Sequence, residues 1–351
     1  MVDIKSLTYD ELEEFVISLG EPKFRAKQLY EWMHVHLARN YDDMKNIPAS
    51  LKSKLVDKCE YTSLSVARMQ ESAIDGTRKY LFELSDGNFV ESVFMRYKHG
   101  NSVCISSQVG CRMGCKFCAS TLDGLERNLK PSEMLDQIYA ISADTDERVS
   151  NIVVMGTGEP LDNYDTVVRF IDIISNDKGL NISQRNITVS TCGLVPMIDK
   201  LSKEKLQITL ALSLHATTDD KRRKLMPIAN KYSIDELITA CRNYFETTGR
   251  RISFEYALVE GVNDTKEDAS ELSDIARQVS AHVNLIPVNP IKERDYKRSS
   301  KENIIAFKNK LEKNGINVTI RRELGSDIDG ACGQLRRRYK SEGANFVRKD
   351  I

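Results

Sequence analysis

In the stretch Asn151-Ile-Val-Val-Met-Gly-Thr-Gly-Glu-Pro160 a β-branched run stops at two glycines. A helical pattern over 164–176 separates it from the next such run, Asn186-Ile-Thr-Val-Ser-Thr-Cys-Gly193. Strand, turn, helix, strand is the sequence form of a parallel βαβ unit with a right-handed crossover. The pattern repeats outward from here. Further runs begin near Val103 (VCIS), Gln207 (QITLALSLHA), Arg251 (RISFEYALVEG) and His282 (HVNLIPVNP), with a last one at Asn317 (NVTIRR). Helical spacing fills 131–142, 233–247, 265–280 and 301–314. Six β-then-α units in series predict an α/β fold: a barrel, an open partial barrel or a doubly wound sheet. In all three, ligands sit at the carboxyl ends of the strands.

The first hundred residues read differently. Thr8 and Glu11 stand three apart ahead of Leu12, Phe15, Val16 and Leu19, a capping box opening an amphipathic helix. Lys23-Phe-Arg-Ala-Lys-Gln-Leu-Tyr-Glu-Trp-Met33 predicts a second helix, basic on one side, with Phe24, Leu29, Trp32 and Met33 available to pack. Two alternating runs, 79–84 and 89–95, flank Ser85-Asp-Gly-Asn88, which is a hairpin signal. The expected division is a helical and hairpin accessory unit over 1–97 and an α/β core with a C-terminal extension over 98–351.

Composition narrows the function classes. The 351 residues are 41% hydrophobic and 29% charged, the balance of a globular enzyme. The 51 basic residues cancel 51 acidic ones, so any hold on nucleic acid must come from local patches. No apolar run is long enough to span a bilayer, and the acidic start has no signal-peptide pattern, so the cytoplasm is expected. Eight cysteines are the anomaly, and four of them fall between Cys104 and Cys118. A reducing compartment and a chain able to build its own core argue for metal or catalytic chemistry over disulfide staples.

Every parallel strand delivers polar or glycine-rich residues at its C-terminal end: Ser106 to Cys118, Gly156 to Pro160, Ser190 to Gly193, Ser213-Leu-His215, Glu260 to Asn263, and Asn289-Pro290. Each alone reads more readily as a turn. Cys111, Cys115 and Cys118 do not. They form C-x3-C-x2-C between Gly110 and Gly114, with no second Cys or His pair at the offset that zinc requires. Three thiolates on a 4Fe–4S cluster fit better, because one iron is left open for a substrate or cofactor.

That spacing, after the first strand of such an array, resembles the radical S-adenosylmethionine (SAM) superfamily. The resemblance implies a partial (β/α)6 barrel, a 4Fe–4S cluster on Cys111, Cys115 and Cys118, and SAM chelated by the open iron. Electron transfer to the sulfonium then generates a 5′-deoxyadenosyl radical. Gly156-Thr-Gly-Glu-Pro160 resembles the superfamily's segment near the SAM amino group, and Glu159 suits an ammonium.

Further strings narrow the likeness. Cys104-Ile-Ser-Ser-Gln-Val-Gly-Cys111, Phe117, Arg127-Asn-Leu129, Ser213-Leu-His215, Leu225-Met-Pro227 and Asp327-Ile-Asp-Gly-Ala-Cys-Gly-Gln-Leu335 resemble the RlmN/Cfr family of RNA adenosine C-methyltransferases. Gly20-Glu-Pro-Lys-Phe-Arg-Ala-Lys-Gln28 resembles that family's accessory domain, so the likeness covers nearly the whole chain. It implies a chemistry suited to an electron-poor ring carbon. Cys332 takes a methyl from one SAM, a radical from a second SAM abstracts hydrogen from that methyl, and the carbon radical adds to adenine. After loss of an electron and the ring proton, Cys104 attacks the Cys332 sulfur and frees the product as a disulfide forms, a displacement that needs a thiolate within reach. Glu91 carries over as the proton acceptor. Its strand pattern alone favours a cross-strand ion-pair partner over a base. Gly158, Glu159, Ser190, Ser213, Leu214, His215 and Asn289 carry over as SAM-binding residues, while Cys59, Cys192 and Cys241 receive no role. Two positions depart from the family pattern: Thr157 stands where a methionine is expected, and Gly330 where an alanine is.

The implied partners are 23S rRNA and tRNA, together with a reductant for the cluster and the disulfide. No membrane is implied, and a monomer is expected. Gly158-Glu-Pro-Leu161, Ser107-Gln-Val-Gly110, Pro287-Val-Asn-Pro290 and Arg321-Arg-Glu-Leu-Gly325 resemble the C2-methylating branch more than the C8-methylating one. Candidate phosphate contacts are Arg336-Arg-Arg-Tyr-Lys340, Lys221-Arg-Arg-Lys224, Arg321-Arg322, and Lys23, Arg25 and Lys27. The target base must leave its stack to react.

Overall fold

The computed structural model describes residues 1–289, 295–328 and 333–342. Ten strands form the main sheet: β1 (Ser65–Glu71), β2 (Arg78–Glu83), β3 (Phe89–Tyr97), β4 (Gly100–Cys104), β5 (Val149–Val154), β6 (Ile187–Thr191), β7 (Thr209–Ser213), β8 (Ile252–Leu258), β9 (His282–Pro287) and β10 (Val318–Ile320). Their spatial order is their chain order from one edge to the other. β1 to β4 pair antiparallel, and β4 to β10 are parallel. A doubly wound sheet has a point where strand order reverses, and this sheet has none. Of the three architectures the sequence leaves open, the chain adopts the open, partial (β/α)6 barrel.

The helices are α1 (Tyr9–Ser18), α2 (Phe24–His34), α3 (Ala49–Lys58), α4 (Pro131–Thr145), α5 (Tyr164–Ser175), α6 (Val195–Lys203), α7 (Asp219–Leu225), α8 (Ile234–Thr248), α9 (Lys266–Arg277), α10 (Lys301–Lys313) and α11 (Gln334–Glu342). Strand alternation decides which way each residue faces. Ile152, Val154, Val189, Leu210, Leu212, Phe254, Tyr256, Val283 and Leu285 are buried in the apolar core. The alternate positions Ser190, Ser213 and Glu255 line a cavity on the other face. One face thus packs and the other holds chemistry.

The boundary expected at residue 97 falls inside this sheet. The hairpin does form, with β2 paired to β3, but β3 then pairs with β4, Val93 opposite Cys104. An alternating strand with one apolar face is stable only when that face is covered, and the sheet itself supplies the partner. The helical part is docked rather than fused. Thr8 and Glu11 close the capping box on α1, and Lys5 pairs with Asp136 of α4 at 2.7 Å, both fully buried. Asp136 also accepts the Leu64 N–H at 2.6 Å, and His34 meets the Tyr139 hydroxyl at 2.8 Å. Phe24 departs from the packing role expected of it: it is 55% exposed at the first position of α2, under the Arg25 guanidinium.

Candidate active site

The chain leaves β4 through Ser106, Ser107 and Gln108 and enters the cysteine loop at Gly110. This glycine has φ +78°, and a Cβ there would lie 2.0 Å from the Gly124 carbonyl oxygen. The close approach lets the Cys111 N–H donate to that oxygen at 2.8 Å and shuts the loop. Cys111, Cys115 and Cys118 line one cavity of about 270 Å³ at the carboxyl ends of the strands. Burial pushes the Cys111 thiol up to about 12 and Cys115 higher still. Three thiols at one cavity are a donor set that would suit an iron–sulfur cluster with one iron left open.

Glu159 faces the same cavity and is buried. Its Oε2 accepts the Cys192 N–H at 2.7 Å and its Oε1 the Leu161 N–H at 3.1 Å. Burial raises its proton affinity, and these hydrogen bonds work against that rise. Gln108 fixes the segment, accepting the Glu159 N–H at 2.8 Å and donating to Asn128 at 2.8 Å and Asp162 at 3.0 Å. Gly158, at φ +113°, lets the two strand ends touch: a Cβ there would meet Gln108 Cβ at 2.7 Å. Thr157, the departure from the family pattern, is stitched in by its backbone. Its carbonyl accepts the N–H groups of Ser107 and Gln108, and its N–H donates to Ser106 Oγ.

Six of the seven expected SAM residues line this cavity: Gly158, Glu159, Ser190, Ser213, His215 and Asn289. Leu214 does not, since its side chain belongs to the apolar core. His215 sits at φ +55° and is buried. Its Nδ1 accepts the Ala257 N–H at 2.9 Å, and its ring meets Phe117 edge-on. Burial and the nearby Arg222 hold it neutral, with its pKa down to about 3.

Three residues to which the sequence reading gave no role at the cofactor cavity build this end. Asn263 donates to the carbonyls of His215 and Ala257 at 2.7 and 2.6 Å and accepts the Val259 N–H at 2.8 Å, which locks the left-handed turn. Glu255 lines the cavity as a buried carboxylate held by Asn284 and Ser253. Arg222 is fully buried, so it does not belong with the phosphate contacts expected of Lys221–Lys224. Its guanidinium donates to the carbonyls of Cys192, Leu214 and Ser213 at 2.6, 3.2 and 3.3 Å, tying the exits of β6 and β7 together. A four-residue basic run resembles a solvated face, and only the helix register of α7 turns Arg222 inward.

A second cavity, about 350 Å³, adjoins the first and shares Ile286, Pro287, Asn289 and Arg321 with it. Cys104, Val93, Met95, Tyr97, Arg298 and Arg322 also line it. Glu91 lies on the same face of β3 as Val93 and Met95 and is buried in an ion pair with Lys79 of β2 at 2.9 Å. The cross-strand partner reading of its pattern is therefore realised. Cys332 and Gly330 lie outside the described residues.

Two family models match the chain. The radical SAM superfamily covers residues 105–274, and a ribosomal RNA large subunit methyltransferase N-terminal domain covers residues 2–61. A probable dual-specificity RNA methyltransferase RlmN of Lachnospira eligens is 64% identical over 97% of this chain and 98% of its own. One of Clostridium novyi is 54% identical over 97% and 99%. A radical SAM methyltransferase from Sphaerobacter thermophilus, solved as a crystal structure, superposes with a TM-score of 0.91 at 43% identity, covering 95% of this chain and 99% of that one. The chain belongs to the RlmN family.

It is accordingly a radical-SAM RNA methyltransferase, whose family uses SAM and a 4Fe–4S cluster. The matched N-terminal domain ends at residue 61, ahead of β1, which agrees with a hairpin that belongs to the sheet. The chain does not leave all its candidate phosphate contacts free. Lys23 pairs with Glu13 and Lys27 with Glu31 on the surface. Lys221 pairs with the buried Asp268, and Arg336 is itself buried near Glu126. Arg321 and Arg322 are exposed beside the second cavity, with no carboxylate partner among the described residues. No described helix is long and apolar enough to cross a membrane.

Proposed function

We propose that this enzyme methylates C2 of an adenosine in 23S rRNA, and of an adenosine in certain tRNAs, consuming two SAM molecules per turnover. The observation that carries the reading is that the cavity of Cys111, Cys115 and Cys118 and the cavity of Cys104 lie side by side, with Ile286, Pro287, Asn289 and Arg321 lining both. When bound, the cluster and SAM supply the methyl group and the radical that activates it. Cys111, Cys115 and Cys118 would hold the cluster, with Glu159 facing the SAM ammonium and Ser190, Ser213, His215 and Asn289 around the rest of the molecule.

The chain's own residues do the remaining work in the second cavity. Val93, Met95 and Tyr97 offer an apolar and aromatic bed for a flipped base, and Arg321 and Arg322 offer charge to its flanking phosphates. Cys332 carries the methyl, Glu91 takes the C2 proton, and Cys104 attacks the Cys332 sulfur so that the product leaves as the disulfide forms. Cys104 is placed on the strand paired with the one bearing Glu91, which supports those roles acting on one substrate. Turnover then needs a reductant, consistent with work in the cytoplasm, and one chain holds every group named, consistent with a monomer.

Nucleosides digested from the RNA of a deletion strain should lack 2-methyladenosine, and the restored gene should return it. Undiminished 2-methyladenosine overturns the proposal, and loss of 8-methyladenosine in its place assigns the other ring carbon.

A further inference from the structure

Every oxygen of the Glu91 carboxylate is engaged. Oε2 accepts the Gly333 N–H at 2.7 Å and the Lys79 ammonium at 2.9 Å, and Oε1 accepts the Arg336 N–H at 2.6 Å. Gly333 and Arg336 bracket the first turn of α11, where backbone N–H groups have no partner within the helix. A carboxylate is the natural complement of that positive end. The Gly333 N–H belongs to the peptide bond that follows Cys332 in the chain. One buried carboxylate on β3 therefore fastens the segment that comes directly after Cys332. Lys79, fully buried on the neighbouring strand, fastens the carboxylate in turn. The Arg336 side chain does not share the load, since it points to Glu126 at 3.8 Å.

We infer that Glu91 is the positioning residue for residues 333–336, the segment that follows Cys332, with Lys79 holding it in place, and that neutralising Glu91 loosens that anchor. The neutralising event rests on the proposed role of Glu91 as base. The C2 proton adds to one carboxylate oxygen while the electron pair of the C–H bond stays in the ring. The resulting acid is uncharged and its hydroxyl oxygen is a weaker acceptor, so the charge-assisted N–H bonds that hold α11 weaken. Removal of the proton thus loosens the chain that directly follows Cys332 before a second thiol attacks the Cys332 sulfur.

Hydrogen exchange of the full chain, prepared anaerobically, tests this on the peptide spanning 333–342. Charge-assisted hydrogen bonds of this kind contribute enough that Glu91→Gln should speed exchange there about tenfold, with α5 unchanged as a check on the fold. Glu91→Gln alone strands a buried ammonium, so the double variant Glu91→Gln/Lys79→Met, which removes both charges, is measured beside it and decides the matter if the single variant also exposes α5. Unchanged exchange over 333–342 overturns the inference. A variant that exchanges faster yet methylates RNA at the wild-type rate keeps the anchor and removes the base. An inactive variant with unchanged exchange does the reverse.

Discussion

At the cysteine-loop end of the site, the contacts that set the geometry join neighbouring strand exits: Cys192 to Glu159 across 33 residues, Arg222 to Cys192 across 30, Glu159 to Gln108 across 51. At the Cys104 end they join the two extremes of the fold. Glu91 reaches Gly333 across 242 residues and Arg336 across 245, while Ser72 and Asp75 on the β1–β2 turn bind Asp327 and Gly325 across 255 and 250. The first end closes as adjacent strands pair. The second closes only when the C-terminal segment returns across the sheet to the antiparallel strands, with the larger loop-closure cost that distance brings. The cysteine-loop end is thus part of the barrel, and the C-terminal segment at the Cys104 end is a latch laid over it.

The largest effect tests whether the two ends are separable. Cys115→Ala should abolish both SAM cleavage and RNA methylation if, as proposed, Cys115 is a cluster ligand. Cys104→Ala should retain SAM cleavage and lose turnover, with RNA left covalently attached to the protein on a denaturing gel. SAM cleavage lost equally in both variants would make the two cavities one unit and break the comparison.

The same contrast explains what could be read from the amino-acid order. The parallel strands, their helices and the cysteine loop were legible because their signals are local: β-branched runs with helical spacing between them, and three thiols within eight residues, 111–118. Glu159 was legible through its place at a strand end. Arg222 was not, because a basic run gives no sign of which member the helix turns inward. Glu91 with Lys79 and α11 was not either: an alternating strand with one carboxylate suggests an ion pair but does not name the partner, and α11 is remote in sequence. The hairpin was recognised as a hairpin but assigned to the wrong neighbour, because the pattern shows which residues of a strand are apolar and not which strand covers them. Leu214, carried over with the Ser-Leu-His string, shows the converse: a motif position can serve through its backbone while its side chain fills the core.

Arg222→Met comes next in size and sharpens the account of the cofactor end. The variant leaves the Cys192, Leu214 and Ser213 carbonyls without their shared donor. Stranding buried acceptors costs about 1–3 kcal/mol per group, and the exits relax partly, so a loss of about 3 kcal/mol is expected in urea unfolding. Exchange over 333–342 should stay at the wild-type rate. If it rises with the destabilisation, the latch is not independent of the barrel.

Acid gives the smallest effect, and it should spare the difference between the two ends. His34 is fully buried between α2 and α4, away from both cavities, and burial, with the Lys5 charge nearby, lowers its pKa from 6.5 to about 3. A histidine depressed in the folded state binds its proton more readily when unfolded. Its contribution to stability is therefore complete above pH 6.5 and is lost as the pH falls toward 3. Between pH 7 and pH 5 the loss is about 2 kcal/mol. His34→Gln, which can still meet the Tyr139 hydroxyl, should remove that part of the pH dependence in urea titrations. Wild type, Cys104→Ala and Arg222→Met should keep it in equal measure. A reduced acid loss in Arg222→Met would mean that the cofactor end and the helical unit unfold separately, and the line between rigid barrel and added parts would then have to be drawn on the other side of α4.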